Sequence, residues 1–264
     1  MQAPVSWSPP EGVLGGILRD TRERIGALRP RASALRDGAT WAPQAPALLP
    51  ALAGASVAVI AEVKRRSPSR GDIRPALSAA RQADAYARGG AAAISVLTEP
   101  GSFGGSAEDL VAAREAAALP ILRKDFIVDS LQLAESRALG AAAVLLIARA
   151  LPPGLLEDLL RESLELALEP LVEVRGEDEL ERALAAGARL IGVNNRNLET
   201  LDVDPSTVDR LVPAIPNGVV VVAESGVRGR ADVERAAMAG ADAVLVGSAI
   251  SAADDPTTSV RALT

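Results

Sequence analysis

The 264-residue chain contains no cysteine and no histidine. Disulfides are therefore impossible, and zinc or copper sites of the usual ligand types are not expected. Ser-His and Cys-His hydrolases are excluded for the same reason. Acid–base work near neutral pH falls instead to Lys, Glu and Asp whose pKa values a site has shifted. Aromatic residues make up only 2% of the chain against 48% hydrophobic residues, so the core has to be built from Ala, Val, Leu and Ile. That choice suits a parallel barrel, whose interior layers favour branched aliphatic side chains. No charge-free apolar run reaches the length of about 18 residues expected of a membrane span, and the first residues show no basic-then-apolar leader. A soluble, cytoplasmic protein is expected. The net charge is −6, so the overall field repels nucleic acid and anionic lipid. An anionic small molecule would need a locally positive pocket.

From about residue 57 onward two textures alternate. Short, nearly continuous apolar runs appear at VAVIAEV (57–63), AAAISVL (91–97), PILRK (120–124) and AAAVLLI (141–147). They recur at PLVEV (170–174), ARLIGVN (188–194), GVVVVAE (218–224) and ADAVLVG (241–247). Such runs are expected of strands buried on both faces. Between them lie amphipathic segments of helical length, such as ALSAARQADAYARG and EDELERALAAGA. Gly89, Gly140, Gly187 and Gly240 fall where a left-handed helix cap belongs. Eight β-then-α repeats predict an α/β fold, a closed (β/α)8 TIM barrel, over the alternative of an open doubly wound sheet.

The first 54 residues read as an N-terminal extension packing on a barrel that spans 55–264, one domain overall. Met1 to Glu11 is rich in Pro and Ser and is expected to fray. Val13 to Leu28 reads as an amphipathic helix, and Arg36 to Gly54 as a Pro/Ala-rich connection. The partners of Trp7 and Trp41 cannot be read from the sequence.

Active residues of such barrels come from the C-terminal ends of the strands. The polar residues that interrupt the runs there are Glu62 and Lys64, Lys124, Glu173, Asn194 and Arg196, and Glu224 with Ser225. Glu62 and Lys64 stand two apart, as do Asn194 and Arg196, so each pair shares a face of a regular strand. Structural ion pairing is the bland reading of any one of them. For the set it is a poor explanation, because buried pairs rarely repay their desolvation. Perturbed carboxylates and amines in one cleft are what a general acid–base site needs. Two glycine turns, ESGVRG (224–229) and VGSAI (246–250), follow the seventh and eighth strands. That is where phosphate is held in many barrels of this kind. A basic Ser/Pro/Gly loop, KRRSPSRGDI (64–73), follows the first strand. It is expected to be mobile without ligand over 65–72 and to close over an anionic substrate.

IAEVKRRSPSRGDI, ISVLTEPGSFGGSAEDL, PILRKDFIVDSLQLAESRALGA, PLVEVRGEDELERAL, IGVNNRNLETLDVD and VVAESGVRG together resemble indole-3-glycerol-phosphate synthase, in the same order along the chain. The likeness covers roughly residues 55 to 250, and the N-terminal helix more loosely. The opening, LRKDF and NNRNL blocks are specific to that family, whereas the two glycine motifs recur in many phosphate-binding barrels. The resemblance implies ring closure of 1-(2-carboxyphenylamino)-1-deoxyribulose 5-phosphate, with loss of CO2 and water, in tryptophan biosynthesis. It implies Lys124 as general acid toward the ketone, and Lys64 near the substrate carboxylate with a part in proton transfer. Glu173 is implied as a carboxylate that stabilises the cationic intermediate or accepts a proton. Glu62, Asn194, Arg196, Glu224 and Ser225 would position the substrate or support those groups. Ser67, Gly226, Gly247 and Ser248 would cradle the phosphate, and Phe103, Phe126 and Leu145 would wall the anthranilate ring.

The chemistry asks for an acid for a ketone oxygen, a base for an N–H proton and an anchored phosphate. Carboxylate loss restores an aromatic ring, so no pyridoxal or metal electron sink is required, and no cofactor is expected. The partner is a small anionic sugar phosphate, and a monomer or weak homo-oligomer is expected. Arg149 departs from the pattern, since the family more often has a small residue after the fourth strand. None of the catalytic-type positions departs. Phosphoribosylanthranilate isomerase is the nearest enzyme rival, but its base is a cysteine. A silent phosphate-ligand-binding barrel is the alternative of a different class, and it should lack Lys124 or Glu173.

Overall fold

The computed structural model describes residues 7–54 and 56–264. Its centre is a closed barrel of eight parallel strands: β1 (Ala58–Val63), β2 (Ala93–Leu97), β3 (Ile121–Lys124), β4 (Ala143–Ile147), β5 (Glu169–Val174), β6 (Leu190–Asn194), β7 (Val220–Glu224) and β8 (Ala243–Val246). Each strand pairs with its sequence neighbours, and β1 closes the ring on β8 through Ala58–Ala243 to Ala61–Val246. The eight apolar runs are thus the eight strands. The 64–73 segment is a small antiparallel hairpin, Arg66–Ser67 on Gly71–Asp72.

Alternation along each strand divides the core into two layers. Ile60, Leu122, Leu145, Leu171, Leu190, Val222 and Leu245 fill the barrel, while Val59, Ile94, Val144, Val172, Ile191 and Val244 face the surrounding helices. Aliphatic side chains supply nearly all of both layers, as the scarcity of aromatics requires. Tyr86 is the exception in the outer layer. It is fully buried, and its hydroxyl donates to the Glu62 carbonyl at 3.1 Å and accepts from Gln82 at 2.9 Å.

The N-terminal segment is more structured than its composition suggests. α1 (Gly12–Leu28) is followed, after a 3-10 turn, by α2 (Ala32–Trp41) and the short α3 (Leu48–Leu52). The stretch from Arg36 to Gly54 is therefore largely helical rather than a plain connection. Leu14, Ile17 and Leu18 of α1 and Leu48 and Leu52 of α3 belong to the same apolar cluster as the barrel interior. α3 is tied to the start of β5, where the Glu169 carboxylate accepts both the Leu48 N–H and, at 3.1 Å, the Leu49 N–H. Residues 1–6 of the stretch expected to fray lie outside the described residues. Residues 7–11 are tethered: Trp7 Nε1 donates to the Arg149 carbonyl at 3.2 Å, and the Glu11 N–H to the Glu199 carboxylate at 2.7 Å. Trp41 stands 84% exposed.

Three of the four expected caps are left-handed, Gly140, Gly187 and Gly240. The fourth is Gly90 at φ +96°, not Gly89, which is the last residue of α4 (Ala79–Gly89). Gly89 has a packing role instead, because a methyl there would come within 2.7 Å of Val260 Cβ. No helix among the described residues is long and apolar enough to cross a membrane.

Candidate active site

The strand ends open into a single cavity. Glu62, Lys64, Lys124, Glu173, Asn194, Arg196, Glu224 and Ser225 all line it, with Ser67, Phe103, Phe126 and Leu145. Lys124, the last residue of β3, is the hub. Its Nζ lies 3.2 Å from Glu173 Oε2 and 3.3 Å from Glu224 Oε2. Lys64 Nζ sits 3.3 Å from Glu62 Oε1, so the two-apart spacing does put that pair on one face. Ser95 of β2 donates to the other Glu62 oxygen at 3.3 Å.

Burial and charge act in opposite directions here. Burial alone would drive Lys124 toward its neutral form, but Glu224, Glu173 and Glu62 outweigh it and hold the ammonium well above its ordinary pKa. Glu224 bears the converse. Burial, with repulsion from Glu173 and Glu62, pushes its carboxyl up to about 8 despite Lys124. At neutral pH Glu224 therefore largely keeps its proton. Glu224 Oε1 is a buried oxygen without a hydrogen-bond partner among the described residues.

Two glycines make room for these carboxyls. A methyl built on Gly192 would overlap Glu224 Oε1, and one on Gly247 would overlap Glu62 Oε1. Gly247 thus has a steric task that the phosphate reading did not anticipate. Gly247, Gly226 and Ser248 are not among the residues lining the main cavity; Gly226, at φ +92°, borders a neighbouring cleft with Asn195 and Arg228. Ser225 is a non-glycine residue at φ +64°, its carbonyl held by Asn195 Nδ2 at 2.9 Å. Such strained backbone persists only where the surroundings fix it, commonly at functional sites.

One wall is apolar. Phe103 and Phe126 lie 6.1 Å apart, tilted by 34°, and Lys64 Nζ stands 5.4 Å from the Phe103 ring centre. Val13 and Ile17 of α1 and Leu198 and Leu201 complete it. The N-terminal segment, whose match to the family was weak, therefore forms part of the pocket. Arg196 has no carboxylate within ion-pair distance among the described residues. Its Nη1 donates to the Leu201 carbonyl at 2.7 Å, and burial together with Arg70 lowers its pKa. Arg196 thus brings positive charge to the cavity without a carboxylate partner among the described residues.

Sequence reasoning missed the support behind Lys124. Arg123 and Asp125 flank it and are both buried. Asp125 takes hydrogen bonds from Thr98 Oγ1 (2.7 Å), Arg123 Nη2 (3.0 Å) and the Phe126 N–H (2.8 Å), and Arg24 of α1 reaches it at 3.5 Å. The charged triplet within an apolar run was the available signal. No cluster of three or more acidic residues among the described residues is placed to hold a metal.

Comparison with known proteins agrees with this geometry. The family model for indole-3-glycerol phosphate synthase matches residues 14–263. The indole-3-glycerol phosphate synthase of Mycolicibacterium gilvum is 48% identical over 254 residues, covering 95% of this chain and 93% of the relative. That of Streptomyces griseus is 49% identical over 251 residues, with the same coverage of both chains. The Nocardioides enzyme of the same name is 50% identical over 256 residues, covering 96% and 97%. Among solved structures, a thiamine phosphate pyrophosphorylase from Pyrococcus furiosus superposes with a TM-score of 0.57 at 16% identity, over 78% of this chain and 93% of that one. That likeness concerns the barrel alone. By the family match and by relatives of near-equal length, this chain belongs to the indole-3-glycerol phosphate synthase family.

Proposed function

We propose that the chain converts 1-(2-carboxyphenylamino)-1-deoxyribulose 5-phosphate to indole-3-glycerol phosphate, CO2 and water. The observation that carries this reading is the convergence of Lys64, Lys124, Glu62, Glu173 and Glu224 on one cavity with an aromatic wall.

The aromatic carbon bearing the carboxylate attacks the ketone carbon, and the oxygen gains basicity as that bond forms. Lys124, kept protonated by its carboxylate neighbours, delivers a proton from Nζ to that oxygen. Lys64 holds the substrate carboxylate until CO2 leaves and the ring regains its aromaticity. The new hydroxyl then departs as water, which needs a second proton. The neutral carboxyl of Glu224, in contact with Lys124, is a reservoir for it. Glu173 accepts the proton released as the second ring becomes aromatic, and at 3.2 Å it can return that proton to Lys124. Asn194 and Ser225 hold the chain of the substrate, and Arg196 supplies positive charge. Phe103, Phe126 and Leu145 clasp the anthranilate ring. Ser67, Gly226, Gly247 and Ser248 bind the phosphate. Residues 1–54 work as part of one domain with the barrel at 55–264. The protein acts in the cytoplasm without a cofactor, as a monomer or weak homo-oligomer.

The test is turnover of the purified protein, followed by indole fluorescence. Lys124→Ala should lower kcat by at least about 10²-fold, the scale of a general acid, while substrate still binds. Near-normal turnover removes Lys124 from the mechanism. A wild-type protein that binds substrate without converting it is a binding barrel instead.

A further inference from the structure

The segment that closes the aromatic side of the pocket is held by a residue outside the reaction. Arg149 follows β4, in the 3-10 turn Ala148–Ala150. Its Nε donates to Glu199 Oε2 and its Nη2 to Glu199 Oε1, both at 3.1 Å, a two-pronged pair. The third prong, Nη1, donates to the Ser8 carbonyl at 2.6 Å, while the Arg149 carbonyl accepts from Trp7. Glu199 extends the same junction, because its Oε1 also accepts the Glu11 N–H.

The first turn of α1 has no side-chain cap of its own. Its free N–H groups are satisfied in trans, Val13 N–H by the Glu199 carbonyl at 3.2 Å and Leu14 N–H by the Leu198 carbonyl at 3.1 Å. Gly12, at φ +58°, lies where any side chain would overlap the Glu199 carbonyl. So the loop 198–199 is at once the cap of α1, the partner of Arg149 and a wall of the pocket. Val13 and Leu198, on the two sides of this junction, both face the cavity.

We propose that Arg149 is a positioning residue that latches residues 7–14 onto the 198–199 loop and thereby sets the apolar wall that receives the substrate's aromatic ring. The latch rests on the functional reading only where it concerns substrate; docking of the N-terminal segment stands apart from it. A latch of this kind contributes to binding in the ground state and the transition state alike, so its loss belongs in KM rather than kcat.

Two readouts test it. Trp7 and Trp41 are the only tryptophans, and Trp41 is 84% exposed. A Trp41→Phe background therefore leaves Trp7 as the sole reporter of docking. In that background, Arg149→Ala should red-shift the ligand-free Trp7 emission and raise its quenching by acrylamide. Steady-state turnover of Arg149→Ala should show KM up by about tenfold with kcat within about threefold of wild type. Arg149→Lys keeps the charge but loses the planar fork, and should fall between the two. If Arg149→Ala does not fold, Arg149→Lys and Glu199→Gln are read by the same criteria. Unchanged Trp7 quenching overturns the latch, whatever the enzyme does. A loss confined to kcat with unchanged KM overturns its role in the aromatic wall. A wild type without turnover refutes the functional reading instead, and leaves the fluorescence result to decide the latch.

Discussion

Gly192→Ala puts the packing of the catalytic carboxyls to a direct test. Gly192 lies on β6 against Glu224. The added methyl would overlap Glu224 Oε1 and come 3.2 Å from its Cδ, with Leu171 Cδ1 closing the other side at 3.4 Å. Relief requires the carboxyl to retreat by about 1 Å, in a core where overpacking costs ~1–3 kcal/mol. Glu224 has nowhere easy to go, since it is 2% exposed and sits 3.3 Å from Lys124. Its retreat breaks that pair and lets the Lys124 ammonium drift. A misplacement of about 1 Å at a reacting group costs on the order of 10²-fold in rate. Urea denaturation and steady-state kinetics on the variant should show both losses. The decisive arm is a double-mutant cycle with Glu224→Ala, which removes the clashing oxygen. In that background the methyl has space, and its stability cost should drop below about 0.5 kcal/mol. An equal cost in both backgrounds, or a Gly192→Ala enzyme with wild-type turnover, refutes the steric argument.

Other consequences follow from the same geometry. The Glu224 carboxyl is raised by burial to about 8 from its ordinary 4.5, so the folded chain holds that proton more tightly than the unfolded one. The associated stability is complete below about pH 4.5 and is lost as pH rises through about 8. The urea midpoint should therefore fall between about pH 5 and pH 8, and fall less in Glu224→Gln; equal slopes in the two proteins would count against a protonated Glu224. Phe126→Ala removes one of two rings 6.1 Å apart. It should cost ~3–5 kcal/mol of stability as a large-to-small change at a buried position and raise KM more than it lowers kcat. A KM unchanged in folded protein would take the ring out of the binding wall.

The strands were legible because burial on both faces leaves no alternative to continuous aliphatic runs. The site was legible for a related reason: a polar residue at the inward position of a strand end has to serve something. Lys124, Glu173 and Glu224 stand out against their runs on that ground alone. Arg123 and Asp125 did not, because Arg123 leaves the strand on the helix side and Asp125 lies just past its end, so the charged triplet reads as support for Lys124 only once its partners are known. Thr98, Glu135 and Ser136 are brought to them only by tertiary folding. The steric need for Gly192 was hidden likewise, since it depends on Glu224 of the adjacent strand. The N-terminal segment misled through composition. Its prolines and alanines look like a linker, whereas its helices are specified by the apolar surfaces they cover. At Gly89 and Gly90 two adjacent glycines each fit a cap; Gly90 takes the left-handed turn, and Gly89 is kept small by Val260.

The tie between α3 and β5 has a further consequence for how the molecule is assembled. Leu48 and Leu49 find their partner, Glu169, more than a hundred positions along the chain. During synthesis the first N–H groups of α3 wait for their acceptor until the fifth strand has begun to emerge. Contacts of such long span are reached slowly, because the intervening loop must first be closed. A fragment ending before Glu169 lacks the carboxylate that fastens this stopper. Such a fragment is expected to leave the start of α3 frayed, whereas one that includes Glu169 can fasten it.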